Sequence, residues 1–355
     1  LKIVHTESSL GWGGQEIRVL SESRGLIRRG HEVKLVCPPE ARIYTEAAKW
    51  QVPVVAAPIA RKRPLGVKAL YAWLKANPCN LVVTHSSTDA WLAALALLAL
   101  GRPTPMLRIR HISAPVPRNA PTRWLYTRAT ARIVTTGEAL KKALVERNGF
   151  PAQRIDSVPT GIDTARFRPG DRAAARAALK LPQDRRLVGI VATLRSWKGH
   201  RFLIEALPHD AHLVIVGDGP MRDALEKKAQ ALQSRVFFAG NQADVVPWLR
   251  AFDVFALPSY ANEGVPQALV QAMLVGLPCV TTSVGAIPEL ARHEDTALVV
   301  PAEDAAALRA ALERLLGDQG LRERLGASAR RHAAENFSQE RMLERMEEIY
   351  RQVSR

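Results

Sequence analysis

Short apolar runs alternate with longer stretches of helical periodicity along most of the chain. The first run, Lys2–His5, meets a glycine-rich turn, Gly11-Trp12-Gly13-Gly14, and then a helical stretch, Gln15–Arg29, with an expected inner face at Ile17, Leu20, Leu26 and Ile27. Gly30-His31 stops that helix, and Glu32–Cys37 reads as the second strand. Strands at Pro53–Ala57, Leu81–Thr84, Met106–Ile109, Ala131–Thr135 and Ser157-Val158 then alternate with helices at Pro64–Ala76, Thr88–Leu100 and Glu138–Asn148. This alternation predicts a parallel sheet covered on both faces.

A second series starts after a Pro- and charge-rich linker, Pro159–Pro182. Its strands are expected at Leu187–Thr193, Leu213–Val216, Val236–Ala239, Val254–Leu257, Cys279–Thr281 and Leu298–Val300. Its helices are expected at Gly199–Leu207, Met221–Leu232, Gln267–Leu274 and Ala305–Leu316. The expected fold class is therefore α/β: two doubly wound Rossmann-like domains facing across a cleft. The boundaries are 1–165 and 166–338, with an amphipathic C-terminal helix in 339–355, Glu340–Val353, packing back on the first domain. In such sheets ligands bind beyond the C-terminal ends of the strands, where strand order reverses.

Composition narrows the functional classes. Of 355 residues, 47% are hydrophobic and 24% charged, as in an ordinary globular protein. Cys37, Cys79 and Cys279 lie far apart, which excludes a disulfide scaffold and fits a reducing cytoplasm. The longest apolar run, Ala90–Leu100, is about half of the ~20 residues a membrane span requires. The chain runs from Leu1 directly into a strand pattern, which reads as no signal peptide ahead of it. The net charge is +16. Residues 1–163 carry 24 basic and 11 acidic side chains, so most of the excess lies in the first half. A basic domain attracts polyanions or an anionic membrane surface. An Arg-rich composition without function is the alternative.

Several segments carry candidate chemistry. Gly13-Gly14-Gln15-Glu16 sits at a strand–helix junction, where backbone and helix N–H groups can approach an anion. It matches neither a dinucleotide fingerprint nor a P-loop. Arg195 and Lys198 follow the first strand of the second series, and both suit phosphate. Glu263-Gly264-Val265-Pro266-Gln267-Ala268-Leu269-Val270-Gln271 joins a strand to a helix expected to start near Val265 or Pro266. The amides of Val265, Gln267 and Ala268 are then available to phosphate or hydroxyls, and Gln267 and Gln271 share a helix face. His85 and His111 sit just past first-domain strands, with Arg108 and Arg110 beside His111; His5 reads as structural. No D-x-D, H-E-x-x-H or G-x-S-x-G occurs, so no metal-diphosphate carboxylate pair is visible.

Taken together, these motifs resemble the family 4 glycosyltransferases of GT-B fold, over essentially the whole chain. The resemblance rests on Gly13-Gly14-Gln15-Glu16, Pro159-Thr160-Gly161-Ile162-Asp163, Arg195…Lys198-Gly199, Val216-Gly217-Asp218-Gly219-Pro220 and the Glu263–Gln271 segment running on to Gly276-Leu277-Pro278. It implies retaining transfer of a sugar from a nucleotide sugar, UDP- or GDP-linked, with no metal and no cofactor. It also implies site residues. Arg195 and Lys198 would hold the donor diphosphate and stabilise its departure. Glu263 would contact sugar hydroxyls, with His111 beside the reacting sugar. Gly13, Gly14, Gly240, Gly264, Val265, Pro266 and Gln267 would border donor or phosphate, and Glu16, His85, Arg108 and Arg110 the acceptor side. Family members usually carry a second Glu where this chain has Gln271; an amide still accepts from, and donates to, a ribose hydroxyl.

Two readings compete. One is a cytoplasmic, membrane-associated transferase building a lipid-linked surface polysaccharide or lipopolysaccharide, its basic half resting on anionic headgroups. The other is a nucleotide-sugar epimerase, or a transferase with a small soluble acceptor. Nucleic-acid binding ranks last, because aromatics are only 6% of the chain and none of the RNA-binding motifs appears.

Overall fold

The computed structural model describes residues 1–112, 114–232 and 234–354. The chain forms two units, Leu1–Gly161 with Gln339–Arg355, and Ile162–Ser338. In the first unit β1 (Lys2–Thr6), β2 (Glu32–Cys37), β3 (Val54–Ala56), β4 (Leu81–Thr84), β5 (Met106–Arg110), β6 (Arg132–Thr135) and β7 (Ile155–Ser157) make one parallel sheet, ordered β3-β2-β1-β4-β5-β6-β7. Its helices are α1 (Gly14–Arg28), α2 (Arg42–Ala47), α3 (Pro64–Ala76), α4 (Ser87–Leu100), α5 (Ala120–Trp124) and α6 (Glu138–Asn148). Strand order reverses between β1 and β4.

The second unit repeats the plan. Strands β8 (Arg186–Val191), β9 (Ala211–Val216), β10 (Val236–Gly240), β11 (Val254–Leu257), β12 (Cys279–Thr282) and β13 (Leu298–Val300) are parallel, ordered β10-β9-β8-β11-β12-β13. They alternate with α7 (Arg172–Ala178), α8 (His200–Glu205), α9 (Arg222–Ala229), α10 (Val246–Ala251), α11 (Gln267–Leu274), α12 (Ala305–Gly317) and α13 (Gln319–Asn336). Here the order reverses between β8 and β11. Both units are thus Rossmann-like, with central strands such as Leu81–Thr84 and Val254–Leu257 buried along their whole length, as continuous apolar runs require.

The last helix, α14 (Gln339–Val353), belongs to the first unit. Met342, Leu343, Met346, Ile349 and Tyr350 bury one face against Ile3, Leu26 and Val33. Its edges are pinned by ion pairs from Arg29 to Glu347 at 2.8 Å and from Arg345 to Asp156 at 3.0 Å.

The structure departs from the sequence pattern in places. The stretch read as a linker contains α7, an Ala/Arg helix capped by Asp171. Helices α2, α5, α10 and α13 were not predicted. The α13 stripe, Leu321, Leu325, Ala329 and Ala333, is too short in side chain to stand out among Arg and Glu. Helix α1 buries Leu20 and Leu26 as expected, but Ile17 and Ile27 only partly. Its inner face also carries a buried ion pair, Arg18 to Glu22 at 3.2 Å. That pair is accommodated because Arg18 also donates to Val158 O and Thr160 Oγ1, while Glu22 accepts from the Tyr350 hydroxyl at 2.5 Å.

Candidate functional site

In the second unit the loops after β8 and β11 flank the point where strand order reverses. The first carries Arg195 and Lys198 in a single helical turn, and Gly199 ends it in the left-handed region, at φ +75°. A Cβ at Gly199 would stand 1.9 Å from the Pro258 carbonyl oxygen, so this position admits only glycine without backbone movement. The Tyr260 N–H donates to Trp197 O at 2.8 Å, which ties the two loops together.

That close approach brings Lys198 onto Glu263. The Lys198 ammonium donates to Glu263 Oε1 at 2.7 Å, and the Ser259 hydroxyl donates to the same oxygen at 2.6 Å. The side chains are 21% and 5% exposed, so the carboxylate is shielded while the ammonium reaches the surface. Both bonds use Oε1 and leave Oε2 to other partners. Arg195 is exposed one turn earlier, its guanidinium 5.7 Å from the centroid of the Trp197 ring.

Helix α11 spans Gln267–Leu274 as the periodicity predicts, one residue past the start expected near Val265 or Pro266. Pro266 is its N-cap, with extended geometry, and Gln267 its first residue. Proline cannot donate, so it is suited to a position where the helix needs no N–H. Val265 therefore lies outside the helix, buried, and the first ladder bonds run from Leu269 and Val270 to Pro266 O. Gln267 and Gln271 are half-buried, one turn apart. Gly264 is buried. The Gly217-Asp218-Gly219 loop buttresses the Arg195 turn: Leu194 N–H donates to Asp218 O at 3.0 Å, and Gly217 N–H donates to Gly240 O at 2.8 Å. Gly240 thus ends β10 beside this loop.

In the first unit, β1, β4 and β5 end in Thr6–Glu7, His85 and His111. Gly13 caps α1, and Glu16 is buried in its first turn. His85 Nδ1 lies 3.0 Å from His111 Nε2, and His85 Nε2 lies 2.8 Å from His5 Nδ1. So His5, read as structural, joins the other two. All three rings are held below the usual histidine range, His5 at about 4, because burial disfavours the cation and Arg18 repels it; Arg108 and Arg110 add to the effect at His111.

Arg108 does not reach the surface. It is 2% exposed, with its guanidinium 4.8 Å from the Tyr126 centroid, because it sits two residues deeper in β5 than Arg110. Arg110, two residues on, is half-buried and donates to Ala114 O at 2.6 Å. It borders a small cavity of about 110 Å³, lined also by Ile112, Val116, Arg118, Leu144 and Arg147.

Two carboxyl residues at this edge, Glu7 and Asp89, escaped the sequence reading. Glu7, fully buried, accepts from Ser86 Oγ, from Ser9 N–H at 2.8 Å and from Gln15 Nε2 at 2.6 Å. Asp89 caps α4 by accepting from the Ser86 N–H at 2.8 Å, and also from the His85 N–H and Thr6 hydroxyl, each at 2.9 Å. Burial and neighbouring carboxylates push Glu7 up to about 8, and burial pushes Asp89 up to about 6. Ser86-x-x-Asp89 is a capping box, the one signal available in advance. Among the described residues no cluster of His, Cys, Asp and Glu has metal-binding geometry, and no helix is long and apolar enough to cross a membrane.

A profile described as Glycosyltransferase Family 4 matches residues 12–166, and one described as Glycosyl transferases group 1 matches residues 185–318. The putative glycosyltransferase EpsF of Bacillus subtilis is 28% identical over 79% of this chain and 78% of its own. A D-inositol 3-phosphate glycosyltransferase of Nocardia farcinica is 32% identical over 74% of this chain, but the match spans only 59% of that enzyme. The crystal structure of Anabaena HepE in complex with UDP-glucose superposes with a TM-score of 0.88 at 22% identity, covering 99% of both chains.

Proposed function

The chain belongs to glycosyltransferase family 4, and from that premise we propose that it moves a hexose-type sugar from a UDP- or GDP-sugar to a lipid-linked or surface-polysaccharide acceptor, with retention and without a metal ion. The observation that carries this reading is the Lys198–Glu263 contact of 2.7 Å where strand order reverses in the second unit. Lys198 has three donors, of which Glu263 takes one, so the others serve diphosphate oxygens. Arg195, exposed one turn away, adds a second fixed charge. These cations stabilise the negative charge that develops as the bond from the anomeric carbon to the diphosphate breaks. Glu263 Oε2 accepts from donor-sugar hydroxyls, and Gln271 meets the ribose.

On the acceptor side the support is the cavity beyond Arg110. Its lining of Arg110, Arg118 and Arg147 with Ile112, Val116 and Leu144 suits an anion attached to apolar matter. Lys and Arg in the first unit then hold the protein on anionic lipid at the inner face of the cytoplasmic membrane. A second reading, a small phosphorylated acceptor in solution, draws on the name of the D-inositol 3-phosphate glycosyltransferases.

The test is nucleoside diphosphate release from UDP- and GDP-hexoses, with a polyprenyl phosphate or inositol phosphate as acceptor. Glu263→Gln should slow release about 10²-fold or more while the fold is kept. An unchanged rate would leave Glu263 as a structural residue only. The acceptor that accelerates release decides between the two readings.

A further inference from the structure

Three histidines of the first unit form a staircase set by sheet register. Strand order places β1, β4 and β5 side by side. His5 pairs with Val83 on β4, and His85 lies two residues beyond it. Thr84 pairs with Arg108 on β5, so the residue level with His85 is Ile109, and His111 again lies two beyond. Each step crosses one strand and advances two residues, which keeps all three side chains on one face. The rings stack at centroid distances of 5.1 and 5.3 Å, close to the strand spacing. The stair climbs from the core to the surface: His5 is 0% and His85 4% exposed, and His111 is only half-buried.

Both links join Nδ1 of one ring to Nε2 of the next, at 2.8 and 3.0 Å. A neutral imidazole has one N–H and one lone pair. If His5 Nδ1 donates to His85 Nε2, His85 must carry its proton on Nδ1 and donate to His111 Nε2. His111 then carries its own proton on Nδ1. The opposite polarity requires a proton on Nε2 of all three. That choice would leave a buried N–H at His5 Nε2, an atom with no hydrogen-bond partner among the described residues. Buried N–H groups without acceptors are rarer than unfilled lone pairs. Arg18 stands near all three rings and Arg108 and Arg110 near His111, while Glu22 opposes them at His5. The cations keep the chain neutral.

We infer that His5 and His85 are positioning residues that lock His111 as a neutral Nδ1–H donor, offered to a ligand oxygen at the C-terminal edge of the first-unit sheet and unable to act as a base through that nitrogen. The identity of that oxygen-bearing ligand rests on the function proposed above; the locked tautomer does not.

The test is long-range ¹H–¹⁵N NMR on the full chain with labelled histidine at pH 7, the His111 signals assigned with His111→Asn. The wild type should show Nδ1 protonated and Nε2 bare at His111. In His85→Phe, which keeps a stacking ring but removes both bonds, the Nδ1–H fraction of His111 should fall severalfold, and turnover about tenfold. Should His85→Phe not fold, His5→Phe and the wild-type spectrum decide. A wild-type His111 protonated on Nε2, or a tautomer unmoved in either variant, overturns the inference. Addition of a polyprenyl phosphate or inositol phosphate, the acceptors named above, should then shift the Nδ1 signal. If neither does so while the tautomer is as stated, the ligand-facing reading of His111 fails and the locked tautomer stands.

Discussion

Lys198→Met removes a charge while nearly preserving side-chain volume, and the structure separates its two consequences. The first is on stability. Glu263 loses the 2.7 Å bond and keeps only the Ser259 hydroxyl. Stranding one partner of a fully buried pair costs about 3–5 kcal/mol. Here Lys198 is 21% exposed and solvent screens part of that, so about 1–3 kcal/mol is expected. For a unit of this size that lowers the melting temperature by several degrees. The second consequence is on the ligand. Loss of a charge-assisted hydrogen bond to diphosphate, worth about 1.5–3 kcal/mol, weakens nucleotide-sugar binding by about tenfold or more. Adding Glu263→Gln removes the stranded carboxylate and should restore most of the melting temperature without restoring affinity. Calorimetric titration with UDP and UDP-glucose, run beside thermal melts on both variants, reads the two effects separately. Wild-type affinity in Lys198→Met would refute the role of the ammonium. Affinity that recovers together with stability in the double variant would reduce the pair to a structural brace.

Three further outcomes are expected. Gly199→Ala should lower the melting temperature, because its Cβ falls 1.9 Å from Pro258 O at φ +75°, and should weaken nucleotide binding by displacing Lys198; an unchanged melt would contradict the tight loop contact. Glu7, raised to about 8, binds a proton in the folded state that the unfolded chain has released above about 4.5, so its contribution to stability falls as pH rises from about 4.5 to 8. The buried histidines, lowered from about 6.5, act in the opposite sense near that pH, so the Glu7 effect is read as the difference in denaturant stability between wild type and Glu7→Gln, which should decline from about pH 5 to 8; parallel curves would mean Glu7 is already ionised. Liposome flotation should require anionic lipid and weaken with salt, and equal recovery on neutral vesicles would remove the membrane from the account.

Periodicity sufficed to find most strands, because a buried parallel strand is a short uninterrupted apolar run, distinguished by its length from the longer run of α4. It failed for α13, whose inner stripe ends in alanines, and for α7, whose partners Ala251 and Asp253 lie far away in sequence. The Lys198–Glu263 pair was legible as two motifs but not as a contact, since only strand order makes their loops neighbours. Ser259 was not legible at all. The same holds for His5. Alone at the end of a strand it reads as a core residue, and only the β1-β4-β5 order and the two-residue step join it to His85 and His111. Arg108 shows the reverse error: Arg110 lies two residues further along the same strand, and that difference separates a core stacking on Tyr126 from the edge of a cavity.

The central claim is that the second unit receives a nucleotide sugar. A thermal-shift titration of the full chain with UDP-, GDP- and ADP-hexoses tests it most directly, since a ligand that binds only the folded state raises its melting temperature in proportion to the logarithm of concentration. At least one UDP- or GDP-sugar should give such a rise, diminished in Arg195→Ala and Lys198→Met. No shift with any of them at millimolar concentration, or an equal shift in both variants, would contradict the account.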